Sequence, residues 1–232
     1  MFYLSFINDQ KLENIVREVI QKGQDAQLKT NFCKNVIDPF SILFELSSFS
    51  ISPKQWLENE KIRQAQKTLS NHIGSFHQNI LGAIDGWSVL NTGGIVDVIS
   101  LDRKIIAEVK NKHNTVKGSD KSGMYYRLED LVMRKGHTYK DYTAYYVEII
   151  PNKPMKYDVC FTPSDSRTGA KCPINPLIRK IDGYSFYALA TGVEDALYQL
   201  FSVIPRVIEK VKPECKILET TAAKDFFKKA FL

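Results

Sequence analysis

Along the chain, apolar residues alternate between a helical spacing and a strand spacing, and the change points divide the sequence into elements. Leu12, Ile15, Val16, Val19 and Ile20 recur every three or four residues, with Asn8 placed to cap the helix they define and Gly23 placed to stop it. The run Asn35-Val36-Ile37-Asp38-Pro39-Phe40 reads as a turn into an apolar helix near Phe44. Ser52-Pro53 is a helix start, a capping serine followed by proline at the first helical position. Ile62, Ala65, Leu69, Ile73, Phe76 and Ile80 then predict a long helix reaching Gly82, whose apolar stripe has to pack on a sheet or another helix.

Residues 94–110 predict two strands, β-branched on both sides of Leu101-Asp102-Arg103-Lys104. Ser119 or Asp120 is placed to cap a helix running to about Arg134. Tyr142 to Ile150 reads as a strand closed by Pro151, Tyr157, Val159 and Phe161 alternate in another, and Tyr184 to Ala190 reads as a further one. A helix is expected from about Val193 to Val211, kinked or split by Pro205, and Phe226, Phe227, Ala230 and Phe231 mark a short amphipathic helix at the end. No internal repeat or linker-like stretch interrupts the 232 residues. The expected fold is α/β, one domain over 1–232, with a mixed central β-sheet flanked by helices.

The segment 94–110 carries the candidate chemistry. Centring its turn between Asp102 and Arg103 pairs 101 with 104, 99 with 106 and 97 with 108. Asp97 then stands opposite Glu108, with Cβ atoms about 5 Å apart. Asp102-Arg103 is not a favoured two-residue turn, but a four-residue loop on the same centre keeps the register. Two carboxylates so placed repel each other unless a cation neutralises them. Hard oxygen ligands suit Mg²⁺, which takes one or two carboxylates and completes its shell with water and phosphate oxygens. Lys110 leaves the same face of the strand as Glu108, and the opposite face, Val96, Val98, Ile105, Ala107 and Val109, is apolar and expected in the core. A metal held by Asp97 and Glu108 and a lysine placed to orient water and stabilise negative charge fit phosphodiester hydrolysis.

Lys110-Asn111-Lys112-His113-Asn114-Thr115-Val116-Lys117 follows directly and is rich in cations and hydrogen-bond donors. Alone it would be a solvated loop. Beside a metal-binding hairpin, Lys112, His113, Asn114 and Lys117 are candidate DNA contacts, to phosphates or base edges. His77 and Gln78 on the long helix are accessory candidates, because a helix preceding such a hairpin can pack near its mouth; a lone His or Gln on a helix is more often structural. Tyr139, Tyr142, Tyr145 and Tyr146 could stack on bases or pack in the core.

Composition narrows the classes. The net charge of +6 is compatible with a polyanionic partner. Cys33, Cys160, Cys172 and Cys215 have no C-x-x-C spacing and no clustered histidines, so zinc ligation is not expected. Scattered cysteines, together with a start at Met1 to Asn8 that has no signal-like pattern, point to reduced thiols in a cytoplasmic protein, and no run approaches a membrane span. The absence of a G-x-x-x-x-G-K-[ST] loop and of a G-x-S-x-G elbow argues against nucleotide hydrolysis and serine esterase chemistry.

Ile95-Val96-Asp97, ten residues, then Glu108-Val109-Lys110 resembles the PD-(D/E)xK nuclease signature. With Lys34 to Phe40, Ile73-Gly74-Ser75-Phe76-His77-Gln78, the run from Ile106 to Thr115 and Ala144 to Pro151, the chain resembles a branch of type II restriction endonucleases similar to those that cut GGNCC or GGWCC sites. The resemblance implies a restriction-endonuclease-like core, a homodimer and Mg²⁺-dependent cutting of both strands of a palindromic site in double-stranded DNA. It implies Asp97 and Glu108 as metal ligands and Lys110 as the catalytic lysine. Val96 replaces the proline of the signature, and Gln78 stands where many relatives carry an acidic residue on the preceding helix. The alternatives from the residues are a DNA repair or recombination nuclease with the same hairpin and a non-catalytic DNA-binding protein.

Overall fold

The structure is a computed structural model that describes residues 2–28, 38–90, 94–214 and 220–231. Its helices are α1 (Asp9–Leu28), α2 (Pro39–Ser48), α3 (Pro53–Gly82), α4 (Gly118–Met133), α5 (Gly183–Thr191), α6 (Ala196–Val211) and α7 (Thr220–Phe231). Its strands are β1 (Ser88–Val89), β2 (Val98–Ser100), β3 (Ile105–Lys112), β4 (Thr143–Ile150), β5 (Asp158–Cys160), β6 (Ser164–Asp165), β7 (Ala170–Lys171) and β8 (Ile178–Asp182). A mixed six-stranded sheet runs in the order β1-β2-β3-β4-β8-β5, and β6 and β7 form a separate ribbon. β3, β4 and β8 are parallel, while the flanking pairings are antiparallel.

Strand alternation divides the core between the two faces of the sheet. Val98, Ile105, Ala107, Val109, Tyr145, Val147 and Ile181 join one cluster with residues of α1, α3, α5, α6 and α7. Ile99, Ile106, Ala144, Tyr146 and Ile178 join a second with Met124, Tyr125, Leu128, Leu131 and Val132 of α4. Parallel strands covered on both faces read as near-continuous apolar runs, as β3 and β4 do. The mixed α/β architecture expected from the sequence is the one observed.

The long helix begins and ends where the sequence places it. Ser52 and Gln55 form a reciprocal capping box at its start. Asn8 caps α1 through Oδ1, which accepts from the Gln10 and Lys11 backbone N–H. Gly23 does not stop that helix. It lies inside α1, and a Cβ there would meet Leu69 at 3.3 Å, so the glycine lets α1 and α3 approach. The apolar helix near Phe44 is α2, capped by Asp38; residues 35–37 of the expected turn, and Cys33 and Cys215, lie outside the described residues. Cys160 and Cys172 are free thiols.

Four further expectations are corrected. Tyr184 to Ala190 is helix α5, not a strand. Asp182 accepts from the Ser185 N–H at its start and Gly192, at φ 74°, ends it. The strand in that region is β8, whose Arg179 and Lys180 break the apolar pattern. Pro205 lies within a continuous α6, where Leu197, Leu200 and Val207, buried on either side of it, hold both halves on one surface. Neither Ser119 nor Asp120 caps α4; the cap position is Lys117, with no side-chain cap bond. Val96 packs with Ile99 and Ile106 on the α4 side, not with Val98, because the chain bends as it enters β2.

Gly183 sits against β4. A Cβ there would fall 2.4 Å from Ile149 O and 2.6 Å from Ile149 Cα, and backbone cannot step aside. Gly183→Ala is expected to lower stability by at least about 2 kcal/mol. Gly74→Ala, inside α3 with nothing within 4 Å of the new methyl, should raise it by up to about 1 kcal/mol. Urea denaturation of the two variants checks the contrast.

Candidate active site

The hairpin has the register read from the sequence. Ile99 pairs with Ile106 and Val98 with Ala107, and Leu101 to Lys104 form a four-residue loop on the expected centre. The ladder ends there. The Asp97 N–H donates to Ala107 O at 2.9 Å, and Asp97 Oδ2 accepts from the Val109 N–H at 2.7 Å. A side-chain oxygen thus takes the place of a backbone acceptor and fixes the Asp97 carboxylate at the end of β2, beside Glu108.

Glu108 and Lys110 follow Ile106 on the α4 side of β3. Glu108 is only 7% exposed, and Lys110 Nζ lies 2.5 Å from its Oε1. Burial, and then the neighbouring Asp97 charge, push the Glu108 carboxyl up to about 7, although Lys110 pulls the other way. One lysine does not balance two carboxylates, and the site is short of positive charge.

The next strand carries a second carboxylate on the same face. Glu148, paired in register with Lys110 and fully buried, accepts from Lys121 Nζ at 2.8 Å, Lys180 Nζ at 2.9 Å and Tyr157 OH at 2.9 Å. Burial alone would raise its pKa, but these donors hold it below the usual carboxylate range. Lys121 also donates to His113 O at 3.0 Å, which ties the loop after β3 to the same carboxylate. The buried Tyr146 hydroxyl has no hydrogen-bond partner, and its pKa is raised by burial and by the charges of Glu148 and Glu108. The sequence reading did not single out Glu148, Lys121 or Lys180. The signal was present for Glu148, which interrupts Tyr145-Tyr146-Val147-Glu148-Ile149 as Glu108 interrupts its own apolar run.

A cleft of about 760 Å³ opens beside Glu108 and Lys110, and its lining includes Lys117, Asp120 and Arg127 together with Ser166 and Arg167 at the turn of the β6–β7 ribbon. Of the candidate DNA contacts, Lys117 lines this cleft, and Lys112 and Asn114 are exposed on the chain between the lining residues Lys110 and Thr115. His113 is half-buried, its backbone tied to Ile150 O and to Lys121. His77 is not brought to the hairpin's charged group. Its Nδ1 lies 2.9 Å from Tyr187 OH of α5, on the other face of the sheet, and burial lowers its pKa to about 4. Gln78, next to it on α3, is half-buried. Tyr145 and Tyr146 are core residues.

A family model described as Eco47II restriction endonuclease matches residues 4–212. The chain belongs to the Eco47II restriction endonuclease family. It is 49% identical to the type II restriction enzyme Eco47II of Escherichia coli over 217 residues, 92% of this chain and 90% of that one. It is 32% identical to the type II restriction enzyme Sau96I of Staphylococcus aureus over 213 residues, 89% and 80% of the two chains. This places the chain among the type II restriction enzymes, site-specific deoxyribonucleases.

The residues present fit a hard divalent cation. Among the described residues no three His, Cys, Asp or Glu side chains gather, which does not suit a metal enclosed by protein ligands. Asp97 and Glu108 supply the two carboxylates with which Mg²⁺ is commonly content. Without metal, Glu108 binds its proton more tightly in the folded chain than in the unfolded one, where it has its ordinary value near 4.5. Its contribution to stability is therefore present below about pH 4.5 and lost as pH rises through about 7. For EDTA-treated protein, the stability gap between wild type and Glu108→Gln should widen against wild type from pH 5 to pH 8. Denaturant midpoints at the two pH values test this; equal gaps would mean that Glu108 carries no raised pKa.

Proposed function

We propose that the chain is a homodimeric, magnesium-dependent endonuclease of the cytoplasm that hydrolyses both strands of double-stranded DNA at a short palindromic site of the GGNCC type. The observation that carries this reading is the convergence of Asp97, Glu108 and Lys110, the last two lining a cleft that also holds Lys117, Arg127 and Arg167, with two carboxylates and too little positive charge between them. Asp97, oriented by the Val109 N–H, and Glu108 would hold the ion. Mg²⁺ when bound polarises the scissile phosphate and acidifies a water. Lys110 has its ammonium at Glu108, where it can orient the attacking water and stabilise charge that develops on the phosphate oxygens. Lys112, Asn114 and Lys117 hold the DNA backbone along the mouth of the cleft.

The homodimer has support on the surface. Phe40, Leu43 and Phe44 of α2 and Phe49 after it are between 66% and 72% exposed. An apolar patch of this kind marks a contact surface, and cutting both strands of a palindrome calls for a two-fold pair of sites.

Incubation of the protein with phage DNA in millimolar Mg²⁺ should give a discrete fragment ladder that EDTA abolishes. Asp97→Ala and Glu108→Ala should remove it, and Lys110→Ala should slow it by roughly a hundredfold or more. A smear would indicate a structure-selective or nonspecific nuclease, and intact DNA that the protein nevertheless binds would overturn the catalytic reading. Separately, Phe44→Glu should shift the sedimentation coefficient from dimer to monomer. A wild-type monomer at micromolar concentration would overturn the homodimer.

A further inference from the structure

The β6–β7 ribbon lines the same cleft as Lys117 and Arg127, and its tip is built around one arginine. The Arg167 side chain is 70% exposed, which for a long flexible side chain ordinarily means free rotation. Here it is fixed. Arg167 Nε lies 3.2 Å from Asp165 Oδ1 and Nη2 lies 3.1 Å from Oδ2, a two-point clamp on one edge of the guanidinium. Asp165 is 1% exposed and is itself held by the Arg167 N–H at 3.0 Å and by Tyr126 OH of α4 at 3.0 Å. The guanidinium carbon lies 5.0 Å from the Tyr126 ring centre. The Arg167 side-chain bonds, with its backbone N–H, hold the Asp165 carboxyl down at about 2, so the clamp persists at any working pH.

A guanidinium has two edges that can donate in parallel pairs. Asp165 takes the Nε–Nη2 edge, which leaves the Nη1–Nη2 fork with no further hydrogen bond to the protein among the described residues, on a side chain that lines the cleft. The acceptor pair that matches such a fork could be two phosphate oxygens or the O6 and N7 of a guanine. The clamp decides between them. The Asp165 carboxylate offsets the guanidinium charge and would stand close to a phosphate, so it weakens attraction to an anion. It leaves the directional hydrogen bonds to neutral acceptors intact. The carrier also suits the task, because the major groove admits a two-stranded ribbon.

We infer that Arg167, clamped by Asp165 on the β6–β7 ribbon, is a specificity-determining residue that reads a guanine edge in the major groove while Glu108 and Lys110 act on the backbone of the same duplex. This rests on the site-specific cleavage proposed above and assigns part of its specificity to one side chain. Ser166, also in the wall of the cleft, precedes Arg167 at the tip, and the turn is closed by Gly169 at φ 68°. The sequence carries no periodic signal for a ribbon whose strands are two residues each, so only the folded chain brings Arg167 to the cleft.

Guanine-by-guanine replacement with 7-deazaguanine removes N7 without changing base pairing. With the wild-type chain in Mg²⁺, kcat/KM should fall roughly ten- to a hundredfold at one guanine of the site, the size of one lost base contact. Arg167→Ala should be slow on the natural site but show no further fall at that guanine. Arg167→Lys keeps the charge and loses the fork, and it should behave the same way. If both variants lose affinity equally on specific and random duplexes and the salt slope of Arg167→Ala drops by about one, Arg167 contacts phosphate and the inference fails. Unchanged variants would also overturn it while leaving the proposed function standing. A wild type that cuts at no discrete site would remove both.

Discussion

A sheet buried on both faces gives an ionised side chain on β3 or β4 two options: it is neutralised by protein partners, or it waits for a ligand. Glu108 and Glu148 leave neighbouring strands toward the same helix and are buried at 7% and 0% exposure. Their surroundings are opposite. Glu148 meets two ammonium groups and a phenol and titrates low; Glu108 meets one ammonium group and a second carboxylate and titrates high. Burial costs are met within the chain at Glu148, which makes it a fastening of α4, β4 and β8. At Glu108 they are not met, and a buried carboxylate that the fold leaves under-compensated is a site awaiting positive charge.

That contrast explains why the hairpin was legible from the sequence and the rest of the site was not. Acids interrupting apolar β-branched runs, with ten residues between them around a turn, fix a register and a face with no knowledge of the fold, and Ile99↔Ile106 has that register. Lys121 and Lys180 come to Glu148 from a helix and a strand distant in sequence, so no local spacing announces them. The same limit governs α5. Tyr184, Phe186, Tyr187 and Ala190 suit a strand by residue type, yet all are buried on a helix that Asp182 and Gly192 delimit. Side-chain preference was the weaker signal there, and the caps at either end were the stronger one. The run before Asp97 shows a third case, where a bend between Val96 and Val98 overrides strict alternation and sends Val96 to the α4 side.

The cations in and near the cleft divide into two populations, those paired to a carboxylate and those that are not. Lys110, Lys121 and Lys180 are paired to Glu108 and Glu148, and Arg167 is paired to Asp165. These cations are positioned but largely neutralised, which suits hydrogen-bond geometry at a water, a phosphate oxygen or a base. Lys112, Lys117 and Arg127 pair with no carboxylate among the described residues, and they supply the unbalanced positive charge that phosphates attract. On the proposed function, affinity and selectivity therefore rest on different side chains. The first falls steeply with salt because it releases counterions, and the second does not. On the proposed function, such a division would let the chain bind any duplex loosely through its loop lysines and commit to cleavage only where the clamped groups find their partners.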